Sequence, residues 1–85
     1  LGQMDASGLS GAGYDAGIEQ RCRELAASFG LTEREGEVFA LLARGKNAAR
    51  VSEELAITKN TLKYHVRHIY EKCGIHSQQE LIDLL

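Results

Sequence analysis

The chain has 85 residues, 44% of them hydrophobic and 26% charged, and a formal net charge of −2. That size and balance fit one small globular domain and leave no room for a large enzyme or a disordered tail. Cys22 and Cys73 are only two and stand far apart, so no disulfide scaffold is expected, and the longest apolar run, residues 38–43, is far too short to cross a membrane.

The chain opens on Leu1 rather than Met, so a piece of a longer protein is expected. Residues 1–17 hold five glycines, two serines and three alanines without an apolar period, and read as a flexible linker. A helix is expected from about Asp15, because Ile18, Cys22, Leu25 and Phe29 recur at helical steps; Gly30 ends it. Leu31-Thr32-Glu33-Arg34-Glu35 then opens a second helix. Thr32 and Glu35 form a capping box, Leu31 sits at the staple position, and Val38, Leu41 and Leu42 supply the buried face up to Gly45.

A third helix is expected from Asn47, as N-cap, to Leu55, burying Val51 and Leu55. After a turn at Ala56-Ile57, Thr58 caps a fourth helix reaching Lys72 or Cys73, which Gly74 stops. Ser77 and Glu80 form a second capping box for a short last helix with Leu81, Ile82, Leu84 and Leu85. No period-two alternation occurs, so the fold class is all-α. The organisation expected is a linker over 1–17 and a compact four-helix domain with an extra N-terminal helix over 18–85, its core at 31–85.

The net charge argues against a nucleic-acid partner only as an average. Residues 1–30 carry −2, residues 31–57 carry −1 and residues 77–85 carry −2, whereas residues 58–76 carry +3. The basic stretch coincides with the fourth helix. Ser52, Ala56 and Leu62 have the spacing of a helix-turn-helix, which needs a small residue at the crossing, a small residue in the turn and an apolar anchor beyond it. Leu62, Val66, Ile69 and Cys73 share one stripe of the fourth helix; Lys63, Tyr64, Arg67, His68 and Glu71 lie opposite.

Lys63, Tyr64 and Arg67 in the first turns suit contacts to base edges in the major groove. Thr58, Lys59, Asn60 and Thr61 at the helix start suit phosphate, as does the outward His68. A charged face opposite an apolar stripe also describes an ordinary solvated surface, and the local charge alone does not separate the two.

Leu31-Thr-Glu-Arg-Glu35, Val38, Leu41-Leu42-Ala43, Gly45, Val51, Leu55, Ile57-Thr58, Thr61-Leu62-Lys63, His65, Ile69, Lys72, Gly74-Ile75 and Leu81-Ile82 together resemble the LuxR-type C-terminal DNA-binding domain. The resemblance spans residues 31–82. It implies a helix-turn-helix domain of a bacterial transcriptional regulator, cytoplasmic, binding double-stranded DNA and commonly dimeric through its last helix. It matches Lys63, Tyr64 and Arg67 to base-reading positions, and Lys46, Asn47, Lys59, Thr61, His65 and Lys72 to positions near the phosphate backbone. His65 also sits where a packed core histidine would. A sensor domain upstream is implied, and RNA polymerase stays open as a partner.

Several residues depart from the family pattern. Ala48-Ala49-Arg50-Val51-Ser52 replaces the usual start of the scaffold helix, Cys73 replaces a leucine, and Gln78 replaces an arginine beside the last helix. Leu81, Ile82, Leu84 and Leu85 cover more circumference than one small core buries, so a homodimer surface with Gln78, Leu81, Ile82 and Leu85 is expected, unless the patch packs on Ile18 and Leu25 instead. Rival readings are a helical interaction or dimerisation module that binds no DNA, and a domain like region four of a sigma factor. Zinc on His65, His68, Cys73 and His76 is disfavoured because Cys73 and His68 point apart. No cofactor, metal or enzymatic activity is expected.

Overall fold

Helices form where the caps and stripes place them. The computed structural model describes residues 9–85, with side chains from residue 17 onward. Its elements are α1 (Leu9–Phe29), α2 (Glu33–Ala43), α3 (Ala48–Leu55), α4 (Lys59–Cys73) and α5 (Gln78–Asp83), with no strand among the described residues. The expectation of a linker over 1–17 falls outside the described residues for 1–8. Residues 9–17 belong to α1, which starts ahead of the expected Asp15. Once a helix is nucleated, each further residue adds a hydrogen bond, so it extends beyond its apolar period. No described helix is long and apolar enough to cross a membrane.

The caps are those the sequence calls for, with one change. The Thr32 hydroxyl accepts from the Glu35 N–H at 3.2 Å, and the Glu35 carboxylate accepts from the Thr32 N–H at 3.0 Å, completing the capping box. Asn47 caps α3 by accepting from the Arg50 N–H at 2.9 Å, and Thr58 caps α4 by accepting from the Thr61 N–H at 3.1 Å. At α5 only half of the expected box forms. Ser77 accepts from the Glu80 N–H at 3.2 Å, but the Glu80 carboxylate takes the His76 N–H at 3.0 Å instead of that of Ser77. The more extended backbone of Ser77, φ −153° against −72° at Thr32, turns its own N–H elsewhere.

The core gathers around α2, which the other four helices surround. Val38, Phe39, Leu42 and Ala43 of α2 are buried with Cys22, Val51, Leu62, Ile69, Ile75 and Leu81. Phe39 was not on the expected apolar face, yet it is fully buried, whereas Leu41 is only half-buried. A helix enclosed on several sides buries more than one stripe. Ile18 and Leu25 pack on this core from α1, and Cys73 is half-buried.

Glu35 is the charged member of this interior, with its side chain only 5% exposed. It accepts from Lys72 Nζ at 2.7 Å, which also donates to the Gly30 carbonyl at 3.3 Å; His68 Nδ1 lies 3.8 Å from the other carboxylate oxygen. The α1–α2 turn, the start of α2 and the end of α4 are thus tied at one carboxylate. Burial pushes the Glu35 carboxyl up, but the hydrogen bonds from Lys72 and Thr32 and the charges of Lys72 and His68 outweigh it and hold the group below the ordinary carboxylate range.

Between α3 and α4, Ser52 is buried at the crossing and its hydroxyl donates to the Ala49 carbonyl at 3.0 Å, while Leu62 anchors α4 in the core. Ala56 ends α3 at φ 56°, in the left-handed region. There a Cβ atom is strained, and glycine is the residue without that penalty.

Two outcomes follow for stability. Ala56→Gly should stabilise the domain by about 0.5–1 kcal/mol in urea unfolding, relief of strain exceeding the added freedom of the unfolded chain. Glu35→Gln should lose about 1–3 kcal/mol at neutral pH, because Lys72 then keeps no charged acceptor. The folded-state pKa of Glu35 is depressed, so its contribution is present above about pH 4.5 and is lost as pH falls through the lower folded value. The stability gap between parent and variant should therefore close on acidification.

Candidate nucleic-acid interface

The outward face of α4 is fixed by what its inward face buries. With Leu62 and Ile69 in the core and Val66 packed against it, the helical period of about 100° per residue turns Lys63, Tyr64 and Arg67 to solvent. Tyr64 is 60% exposed. Lys59, Asn60 and Thr61 are exposed at the first turn. The Thr58 hydroxyl accepts from the Thr61 N–H and donates to the Thr61 hydroxyl oxygen at 3.0 Å, which leaves the Thr61 O–H available to donate to another acceptor.

Charge pairing divides the basic residues into two groups. Arg21, Arg34, Arg44, Lys46, Arg50 and Lys72 each have a carboxylate partner. Arg23 bonds to the Gln20 amide oxygen at 2.9 Å. Lys59, Lys63 and Arg67 have no carboxylate partner among the described residues, and they follow one another at four-residue steps along one face of α4.

Other residues expected near phosphate are occupied elsewhere. Lys46 donates to Glu54 at 2.7 Å, and Glu54 also takes the Arg50 Nε at 3.1 Å; these bonds, that from Lys46 foremost, hold the Glu54 carboxyl low. The Asn47 oxygen is engaged in capping α3. Lys72 and His68, expected beside phosphates, face Glu35 instead. A buried carboxylate needs a cation, and Lys72 at the end of α4 is within reach. His65 is half-buried at the edge of the apolar stripe.

Two residues of the expected pairing surface are engaged within the fold. Leu81 is fully buried in the core, and Gln78 donates its amide to the Leu42 carbonyl at 3.0 Å and the Lys46 carbonyl at 2.9 Å. The Leu42 carbonyl also accepts from the Gly45 N–H at 2.9 Å, and Lys46 lies in the turn beyond α2, so Gln78 pins this turn to α5. Ile82 is half-buried, and Leu85 stays 37% exposed.

Sequence reasoning missed three roles here, those of Glu35, Lys72 and Gln78. Glu35 was read only as a cap, although its register places it three residues before Val38, on the buried side, where an acid demands a partner. The roles of Lys72 and Gln78 join residues 37 and 36 positions apart, and nothing local marks such pairs.

Residues 30–85 match the family described as bacterial regulatory proteins, luxR family. The HTH-type transcriptional regulator MalT of Serratia proteamaculans (strain 568) is 36% identical over 59 residues, which are 69% of this chain and 6% of that protein. The chain thus spans a small fraction of that relative's length. No solved structure matches the chain. With the helix-turn-helix at α3–α4, the capping box at Thr32 and the buried stripe of α4 all falling inside the matched segment, the chain belongs to the luxR family of bacterial regulatory proteins.

Proposed function

We propose that this domain regulates transcription by binding double-stranded DNA, with α4 in the major groove. The observation that carries the reading is the row of cations Lys59, Lys63 and Arg67, without a carboxylate partner among the described residues, along the exposed flank of α4 beside its core stripe. A cation already held by a carboxylate gains little from a phosphate, whereas an unpaired one neutralises it and releases a counterion. Lys63 and Arg67 are donors that match the O6 and N7 acceptors of guanine. Thr58, Asn60 and Thr61, with the free N–H groups of the first turn, suit the phosphates that set the helix in its groove. The likeness to a transcriptional regulator supports the same reading by analogy.

Pairing of two copies would use Ile82 and Leu85, the outward apolar residues at the C-terminal end, and would set two α4 helices on half-sites about one DNA turn apart.

Fluorescence anisotropy against a duplex selected from a random pool tests the reading. Lys63→Ala and Arg67→Ala should each weaken specific binding by about 1–3 kcal/mol, and Lys59→Ala should lower the salt slope by about 1 while sparing sequence preference. Cooperative filling of two half-sites is expected of a pair. Binding that ignores both salt and these substitutions, or no selectable duplex at all, sinks the reading.

A further inference from the structure

The geometry points to Tyr64 as a reader of thymine and to His68 as the positioning residue that holds it, an inference that rests on the DNA-binding reading above. Tyr64 and Leu85 are the exposed large hydrophobic residues among those described, and of the two only Tyr64 lies on the cationic face of α4. Its neighbours Lys63 and Arg67 carry donors alone and match guanine acceptors. The apolar feature that the major groove offers is the thymine C5-methyl group, and an aromatic ring is the complementary surface on this face.

Despite its exposure, the ring of Tyr64 has two imidazoles packed against it. His68, one helical turn along, packs on it with ring centroids 4.3 Å apart and planes tilted by 41°. His65 meets it edge-on at 5.8 Å and 68°. Side chains four residues apart on a helix are neighbours, and an aromatic pair in this arrangement selects one rotamer from several. His68 in turn stands beside Glu35, its Nδ1 3.8 Å from Glu35 Oε2, a carboxylate fixed by the Thr32 N–H and by Lys72. The packing of the two rings is therefore what positions Tyr64.

A merely structural Tyr–His pair would affect stability alone, so the test reads discrimination. A duplex is selected from a random pool with the parent chain, and each thymine is replaced in turn by deoxyuridine, which lacks the methyl group. The parent should lose about fourfold in affinity at one thymine, the worth of burying one methyl group. In His68→Ala that difference should disappear while the salt slope stays in place, even though loss of a neighbour of the buried Glu35 carboxylate lowers the thermal midpoint. His68→Phe, which keeps a ring but not the imidazole nitrogens, should restore it. The inference is overturned by a parent indifferent to every thymine methyl, by full discrimination in His68→Ala, or by failure of His68→Phe to restore it. A parent that selects no duplex at all overturns the DNA-binding reading as well, so the two failures are distinct.

Discussion

Burial of Leu62 and Ile69 against α2 is the constraint on which the rest of the molecule turns. A helix has one period, so fixing the stripe that meets the core also fixes the residues that face away from it. Lys63, Tyr64 and Arg67 are outward because Leu62, Val66 and Ile69 are not. The two helix ends reinforce the setting. Thr58 caps the start, and Gly74, at φ 71°, lets the chain leave α4 directly into Ile75, which is itself buried.

Glu35 adds a polar lock to this apolar registration. Close to 5% exposed, it would be costly without partners, and it has the Thr32 N–H, Lys72 and His68 around it. The ion pair fixes the end of α4 relative to the α1–α2 turn, so α4 is held by apolar contacts along its length and by charge near its C-terminus. The same lock takes Lys72 out of the set of cations available to a polyanion. What remains available is the unpaired row Lys59, Lys63 and Arg67, a narrower and more directional surface than the +3 of residues 58–76 would imply.

Much of this was legible in the sequence because it is local. Caps at Thr32, Asn47, Thr58 and Ser77, the glycine stops and the stripe of α4 follow from residues within a turn or two of each other, and they lie where the pattern places them. What escaped was set by packing between distant segments. Phe39 is buried because α2 is enclosed by four helices, which no single-helix period reveals. Leu81 and Gln78 looked like surplus surface because nothing nearby in sequence covers them, yet the core and the carbonyls of Leu42 and Lys46 do. Lys72 and His68 looked like solvent-facing cations because their acid partner lies on another helix. Of the site, the outward trio Lys63, Tyr64 and Arg67 was readable from helix geometry; the division of cations into paired and unpaired was not.

The central claim is that the unpaired face of α4 is the surface that meets duplex DNA, and residue-resolved NMR during titration with a selected duplex tests it most directly. If the claim holds, amide shifts concentrate from Thr58 to Arg67, while the exposed residues of α1, such as Gln20, Arg23 and Glu24, stay unmoved. Shifts centred on α1, or on the paired cations Arg44 and Arg50 with α4 silent, would contradict it.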